Sequence, residues 1–388
     1  VNQADAIVIG LGAMGAATAF QLGKRGADVI GIDRYCPPHP LGASWGDTRI
    51  TRQAIGEGMA YVPLVLRSHE IWRELEAATG ASILEPTGML IMQSASCAVG
   101  QHGTADFVGS TLAAARAHGI EHQVLNTDQL RSRFPQFNIR EDHRGYYEPG
   151  GGFVRPEAAI RAQLQLAKHY GARLETNEQV LDIRVSGSGI EVATDKSTYR
   201  ADRVVVTAGP WIPELFPVLR PILRRYRQIL YWFDVADSYE TLLSDRCPTF
   251  IWMFSVAGGL LYGFPAIDGR RGGLKIATEQ YDVETESVDL MERNVGVDET
   301  KRMFHNHVRD LMPALGPNAI RANACLYSVT PDFDFIIDQA PEMSNVTIVS
   351  ACSGHGFKHS AAVGESIAQL ITAGRSDLDL SSFRLDRF

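Results

Sequence analysis

Only six of this chain's 37 basic residues are lysines, and one of them, Lys358, sits where chemistry is plausible. Lys358 ends the run Ser353-Gly354-His355-Gly356-Phe357-Lys358, between an apolar strand and a closing helix. Its two glycines let backbone N–H groups face a ligand, and a helix start favours negative charge there. Lys358 is placed to pair with a carboxylate; the same run also reads as a tight turn with an exposed lysine. A second stretch, Gly42 to Arg52, sets Arg49 and Arg52 three apart among small residues that include Ser44 and Thr48. It suits a phosphate cradle with cations over a planar ring, or simply a solvated basic turn. In Ala324-Cys325-Leu326-Tyr327, period-two alternation puts Cys325 and Tyr327 on one face of a strand. A buried cysteine is usually inert, so that face alone does not make a reactive thiol.

The elements that must position these residues begin at the N-terminus. Asp5-Ala6-Ile7-Val8-Ile9 reads as a buried strand, Gly10, Gly12 and Gly15 have G-x-G-x-x-G spacing, and an Ala-rich helix follows. The first glycine makes the turn, the second admits a pyrophosphate, and the third packs helix on strand. The second strand closes at Asp33, 21 residues past Gly12, where a carboxylate takes ribose hydroxyls and repels a 2′-phosphate. The motif implies dinucleotide binding without separating FAD from NAD.

Helices are expected over 61–79, 106–118, 156–169, 303–311 and 359–373, with Gly80 as a stop and Pro156 at a first-turn position. Strands are expected at 88–92, 180–185, 190–193, 199–206, 324–328, 335–337 and 346–349. The aromatic and β-branched stretch 222–280 implies an antiparallel sheet in a separate substrate domain. The fold class is therefore α/β, a Rossmann-type domain plus an antiparallel-sheet domain, each built from discontinuous segments. The division expected is 1–85, 150–220 and 320–388 for the cofactor domain, and 86–149 with 221–319 for the substrate domain. A net charge of −8 gives no support to nucleic-acid or anionic-membrane binding. No apolar run approaches the roughly 20 residues of a membrane span, and five scattered cysteines without C-x-x-C argue against disulfides and zinc. With no room for a leader before the first strand, a cytoplasmic monomer is expected.

Taken in order, these residues resemble the monomeric sarcosine oxidase and N-methyltryptophan oxidase family of FAD-dependent amine oxidases. The most specific pieces are Gly46-Asp47-Thr48-Arg49 with Arg52, Gly56-Glu57-Gly58, Tyr61-Val62-Pro63-Leu64, Tyr262-Gly263-Phe264-Pro265, Leu274-Lys275, Cys325-Leu326-Tyr327, Asp334 to Asp338, and Ser353 to Lys358. The resemblance implies FAD attached covalently through Cys325, Arg49 against one face of the ring, and Lys275 near flavin N5 assisting molecular oxygen. It implies a substrate carboxylate held by Arg52 and Lys358, a pocket shaped by Tyr262 and Tyr327, and a Gly354 carbonyl facing the amine. Motif and resemblance together place the cofactor on Gly10, Gly12, Ala13, Met14, Gly15, Asp33, Arg34, Ser44, Thr48, Arg49, Val180, Ala208, Gly209, Trp211, Cys325, Gly354, Gly356, Phe357 and Lys358.

The chain departs from the family pattern at Trp45 and at Glu279, each a histidine in those enzymes, and at Ile55, a tyrosine there. Trp45 adds bulk to the substrate region and Glu279 adds an anion, which suggests a substrate with a second cationic or hydroxyl-rich group. The expected activity is oxidation of a secondary amine or N-substituted amino acid to aldehyde, amine and hydrogen peroxide. Alternatives are a flavin amine dehydrogenase with another acceptor, an NAD-dependent dehydrogenase, and a non-catalytic flavin-binding sensor.

Overall fold

A computed structural model describes residues 2–95, 97, 101–140, 142–254 and 259–388. Its N-terminal βαβ unit follows the glycine spacing: β1 (Gln3–Ile9), α1 (Ala13–Lys24) and β2 (Val29–Asp33). β1 pairs in parallel with β2 on one side and with the strand Thr198–Val206 on the other. β2 pairs in parallel with Arg173–Thr176, and Thr198–Val206 with Met343–Ser350. Antiparallel strands Val180–Ser186 and Gly189–Thr194 extend one edge, and Ile336–Ala340 pairs with Met343–Ser350, giving eight strands. Side chains alternate as a pleated strand requires. Ala6 and Val8 face a core shared with α1 and the helices Tyr61–Thr79, Pro156–His169 and Ser360–Ala373, while Ile7 and Ile9 face a second core.

Why the last helix lies against the first is visible at one glycine. A Cβ on Gly364 would fall 2.4 Å from the Cβ of Ala17, so small residues on both sides let the backbones approach. Gly15 has the parallel role within the first unit, since its Cβ would meet the Gly10 carbonyl oxygen at 1.8 Å.

A second eight-stranded sheet holds Arg224–Val235, Thr249–Phe254, Gly259–Gly263 and Leu274–Ala277. Leu315–Val329 flanks it on one side, and Met89–Ser94, His143–Glu148 and Gln123–Leu125 on the other. Every pairing is antiparallel except Met89–Ser94 with Thr249–Phe254, so the expected antiparallel sheet is mixed at one junction. The 222–280 sheet is also wider than its own stretch of sequence, because segments on both sides join it. Leu315–Val329 pairs along nearly its whole length with Arg224–Val235, so the expected boundary at 320 falls inside a strand of this sheet. The helix expected at 303–311 starts earlier, at Val297, and continues through Val308 with a wider turn. Its first turn is fixed by Glu299, whose side chain accepts from the Gly296 N–H at 2.8 Å. A small sheet of Arg49–Thr51, Gly152–Val154 and Leu84–Glu85 carries Arg49 to the junction of the two large sheets.

Candidate active site

Four adjacent parallel strands of the first sheet end at Ile9, Asp33, Val206 and Ser350, and the turns that follow enclose a cleft of ≈ 270 Å³. Ligands of open α/β sheets bind at that edge. The cleft is lined by Gly10, Gly12, Ala13, Met14, Asp33, Arg34, Ser44, Val180, Ala208, Gly209 and Trp211, and by Gly354, Gly356 and Phe357 from the far end of the chain. Gly10 has φ +86°, and a Cβ there would meet Ala208 Cα at 2.7 Å. Gly12 caps α1 with no side chain of its own, Ala13 N–H donates to Ser44 Oγ at 3.3 Å, and Gly12, Ala13 and Met14 set the start of the helix at the edge of the cleft. Asp33 is held from both sides: Leu11 N–H donates to Oδ2 at 2.7 Å and Tyr35 N–H to Oδ1 at 2.8 Å. Each oxygen keeps a lone pair for a hydroxyl. A dinucleotide's phosphates, ribose and flat ring all find fitting groups here.

Arg49 lines this cleft and also a smaller inner cavity of ≈ 60 Å³ beside it. One face of the second sheet forms the floor of the inner cavity. Leu230, Ile251, Tyr262, Lys275, Cys325 and Tyr327 come from five strands of that sheet and point the same way. Thr48, Arg52, Glu279, Gly354 and Lys358 complete the expected set, together with Glu57, His102 and His355. The structure thus brings together the cofactor and substrate residues expected from sequence, with exceptions at Gly15, whose part is packing, and Trp45. Trp45 is half-buried outside both cavities, and what it contributes is a main-chain carbonyl accepting from Arg49. Ile55 is buried in the core, away from both.

The cations of the inner cavity differ in how they are held. Arg49 donates to the carbonyls of Ala43 (2.9 Å), Trp45 and Thr48 (3.0 Å), and its guanidinium lies 3.9 Å from Cys325 Sγ. Burial opposes its charge, yet Cys325, Tyr262, Tyr327 and Glu157 hold its pKa above the ordinary arginine value. Lys275 Nζ meets the carbonyls of Gly46 (2.6 Å) and Thr48 (2.8 Å) and the Thr48 hydroxyl (3.1 Å), with the Phe264 ring centre 4.6 Å away. Burial and the neighbouring Arg49 draw its pKa well below the usual lysine range. Tyr262 and Tyr327 bring their hydroxyls within 3.5 Å of each other, and burial raises both.

Arg52 is not free to face the cavity alone: it is ion-paired with Glu57, and both side chains are only 2 % exposed. Burial raises the Glu57 pKa, but Arg52, Lys358 and His102 pull it well below the usual carboxylate value. The anion expected at Glu279 is likewise met from within the protein, by His102 Nε2 at 3.2 Å and Tyr281 hydroxyl at 3.3 Å. The anion that suggested a substrate with a second cationic or hydroxyl-rich group therefore already has partners of its own in the protein. Lys358 donates to the His355 carbonyl at 2.5 Å, and among the described residues no carboxylate pairs with it. Burial and Arg52 push its pKa down to about 7. Glu57 and Glu279 act on this buried cation through space, without an ion-pair contact to it.

Comparison with known proteins agrees with this arrangement. The model of the FAD dependent oxidoreductase family matches residues 5–370. The chain is 36% identical to the monomeric sarcosine oxidase of Bacillus sp. (strain B-0618) over 387 residues, covering 99% of this chain and 96% of that one. It is 33% identical to the N-methyl-L-tryptophan oxidase of Yersinia pestis (strain Pestoides F), covering 99% of both. Among solved structures, NikD, an amino acid oxidase essential for nikkomycin biosynthesis, superposes in its open form with a TM-score of 0.83. That match has 22% identity and covers 99% of this chain and 98% of that one, and it speaks for the fold.

Proposed function

This chain belongs to the FAD-dependent oxidoreductase family, and on that premise we propose that it oxidises a secondary amine, an N-methyl or otherwise N-substituted amino acid, with molecular oxygen as acceptor. The observation that carries this reading is Lys358, the buried cation without a carboxylate partner, 3% exposed in the cavity that Tyr262, Tyr327, Lys275 and Cys325 also line.

FAD bound in the larger cleft supplies the two-electron acceptor and the route of those electrons to oxygen as hydrogen peroxide. The chain's own residues do the rest. Gly10, Gly12 and the α1 N-terminus take the phosphates, Asp33 the ribose, and Cys325 holds the cofactor by a thioether bond. Lys358 receives the substrate carboxylate, assisted by the Arg52–Glu57 pair, and so fixes which carbon of the amine faces the ring. The Gly354 carbonyl accepts from the amine N–H. Lys275, ringed by three oxygens, assists molecular oxygen as it gains electrons, the developing negative charge favouring the protonated amine that burial disfavours, a preorganised electrostatic effect. The imine product hydrolyses to aldehyde and amine.

Anaerobic mixing of the purified holoprotein with a panel of N-alkyl amino acids should bleach its visible absorbance. No bleaching with any member would refute the reading. Acid precipitation of the same material should leave the yellow colour in the pellet for the native chain and in the supernatant for Cys325→Ser. Lys275→Met should slow reoxidation by oxygen far more than reduction by the amine, and equal effects would remove its oxygen role.

A further inference from the structure

His102 has no part in the roles described so far, yet it stands at the centre of the inner cavity's charge arrangement. It is carried on a two-residue turn: Gln101 N–H donates to the Thr104 carbonyl at 3.0 Å, and Thr104 N–H returns to Gln101 at 2.9 Å. The two central residues, His102 (φ +47°) and Gly103 (φ +80°), both lie in the left-handed region, as a tight reverse turn of this kind requires. For a histidine that backbone is uncommon and must be held by its surroundings. They are two carboxylates: Nδ1 lies 3.2 Å from Glu57 Oε1, and Nε2 lies 3.2 Å from Glu279 Oε2. The imidazole is 2% exposed and packs on the His355 ring at 5.0 Å and the Phe333 ring at 5.7 Å.

We propose that His102 is a positioning residue that sets the charge class of the substrate: clamped between Glu57 and Glu279, its imidazolium cancels the second carboxylate, so that Lys358 meets the cavity as the surplus cation. Arg52 pairs with Glu57, and His102 bridges Glu57 and Glu279; of the three cations beside these two carboxylates, Lys358 is the one without an ion-pair contact. Burial disfavours the charged imidazole, but Glu279 and Glu57 together raise its pKa to about 9, so it is a cation at neutral pH. His355 beside it is held neutral, because burial drives its pKa well below the usual value. With His102 uncharged, Glu279 would keep the Tyr281 hydroxyl but no cation in contact, offset Lys358 and repel an incoming carboxylate. The inference rests on the proposed carboxylate-bearing substrate, and its test separates from that reading because it uses a ligand that is not turned over.

Binding of propionate, a carboxylate with no amine, is measured by calorimetry on the holoprotein and its variants at pH 6.5. His102→Gln should weaken binding about tenfold or more, as expected when one partner of a buried charge cluster is removed. Adding Glu279→Gln to that variant should restore most of the loss, because the charge tally returns to that of the native cavity. Glu279→Gln alone, which keeps His102, should bind propionate at least as tightly as the native protein; this arm stands even if His102→Gln fails to fold. In turnover, the His102→Gln effect should fall on KM for the N-methyl amino acid rather than on kcat, and should spare its methyl ester. A double variant no better than His102→Gln, or weaker binding in Glu279→Gln alone, would overturn the proposal. Bleaching by N-alkyl amino acids reports on the enzyme reading independently.

Discussion

Lys358 gives the site its simplest titration. Its pKa near 7 in the free protein reflects burial and Arg52, and a bound carboxylate would favour the charged form and raise it. The sign follows directly: below pH 7 the lysine is already charged and carboxylate affinity is full. Above pH 7 each binding event must take up a proton, so propionate affinity should fall by about tenfold per pH unit until the pKa of the complex is reached. Calorimetry in two buffers of different ionisation heat would register that proton uptake, and Lys358→Met should lose both the affinity and its pH dependence. A flat profile in the native protein would show that another group receives the carboxylate. Lys358, Arg49 and Cys325 were legible in the sequence as candidates because each sits in a motif beside glycines or in a strand whose alternation fixes its face, whereas Lys275 stood out only through the family resemblance. His102 was not. Its partners Glu57 and Glu279 are remote in the chain, and pairing across such distances leaves no local pattern. The only trace was His102-Gly103, a dipeptide suited to a turn with two positive φ angles.

Among the elements, the segment carrying Arg52 is held by one buried carboxylate. Glu148, fully buried, accepts from the N–H groups of Gln53 (2.6 Å) and Ala54 (3.0 Å) and from the Tyr146 hydroxyl (2.7 Å). Glu148→Ala would strand two backbone donors in the core beside the Arg52–Glu57 pair, costing about 3 kcal/mol. The expected readout is a Tm lowered by several degrees together with weaker carboxylate binding; an unchanged Tm would mean water satisfies both groups. Helix ends were readable where the chemistry is local. Tyr61–Thr79 stops at Gly80, which has φ +73°, and Pro156 opens Pro156–His169. Leu315–Val329 was seen only at 324–328, since Gly316, Pro317 and Asn318 disguise its start and Arg224–Val235 alone holds it straight. The mixed junction at Met89–Ser94 was equally hidden, because nothing in the short apolar run Met89 to Met92 states which neighbour it will take or in what direction.

Across the whole molecule, the two large sheets meet along the cofactor cleft, and neither holds the site alone. The first contributes the glycine turn and Asp33, the second the floor with Lys275 and Cys325, and the small sheet delivers Arg49 between them. The closing helix seals this arrangement by lying on α1 at Gly364. Gly364→Val would force α1 and that helix apart, at roughly 1–3 kcal/mol for an overpacked contact. Because α1 carries the phosphate-facing turn, flavin content after purification should fall along with Tm, while a variant at an exposed position of the closing helix, such as Thr372→Ala, should leave flavin content unchanged.

The strand Met343–Ser350 and the turn after it supply one wall of the cleft, while the glycine turn and Asp33, within the first 33 residues, contribute to another. During synthesis, then, the nucleotide-binding turn leaves the ribosome 342 residues before its counterpart, the separation of Gly12 and Gly354. A nascent polypeptide halted anywhere before residue 349 should carry no flavin. Releasing arrested chains of increasing length and assaying each for bound cofactor should show retention switching on within the span 349–373, as a step and not a ramp.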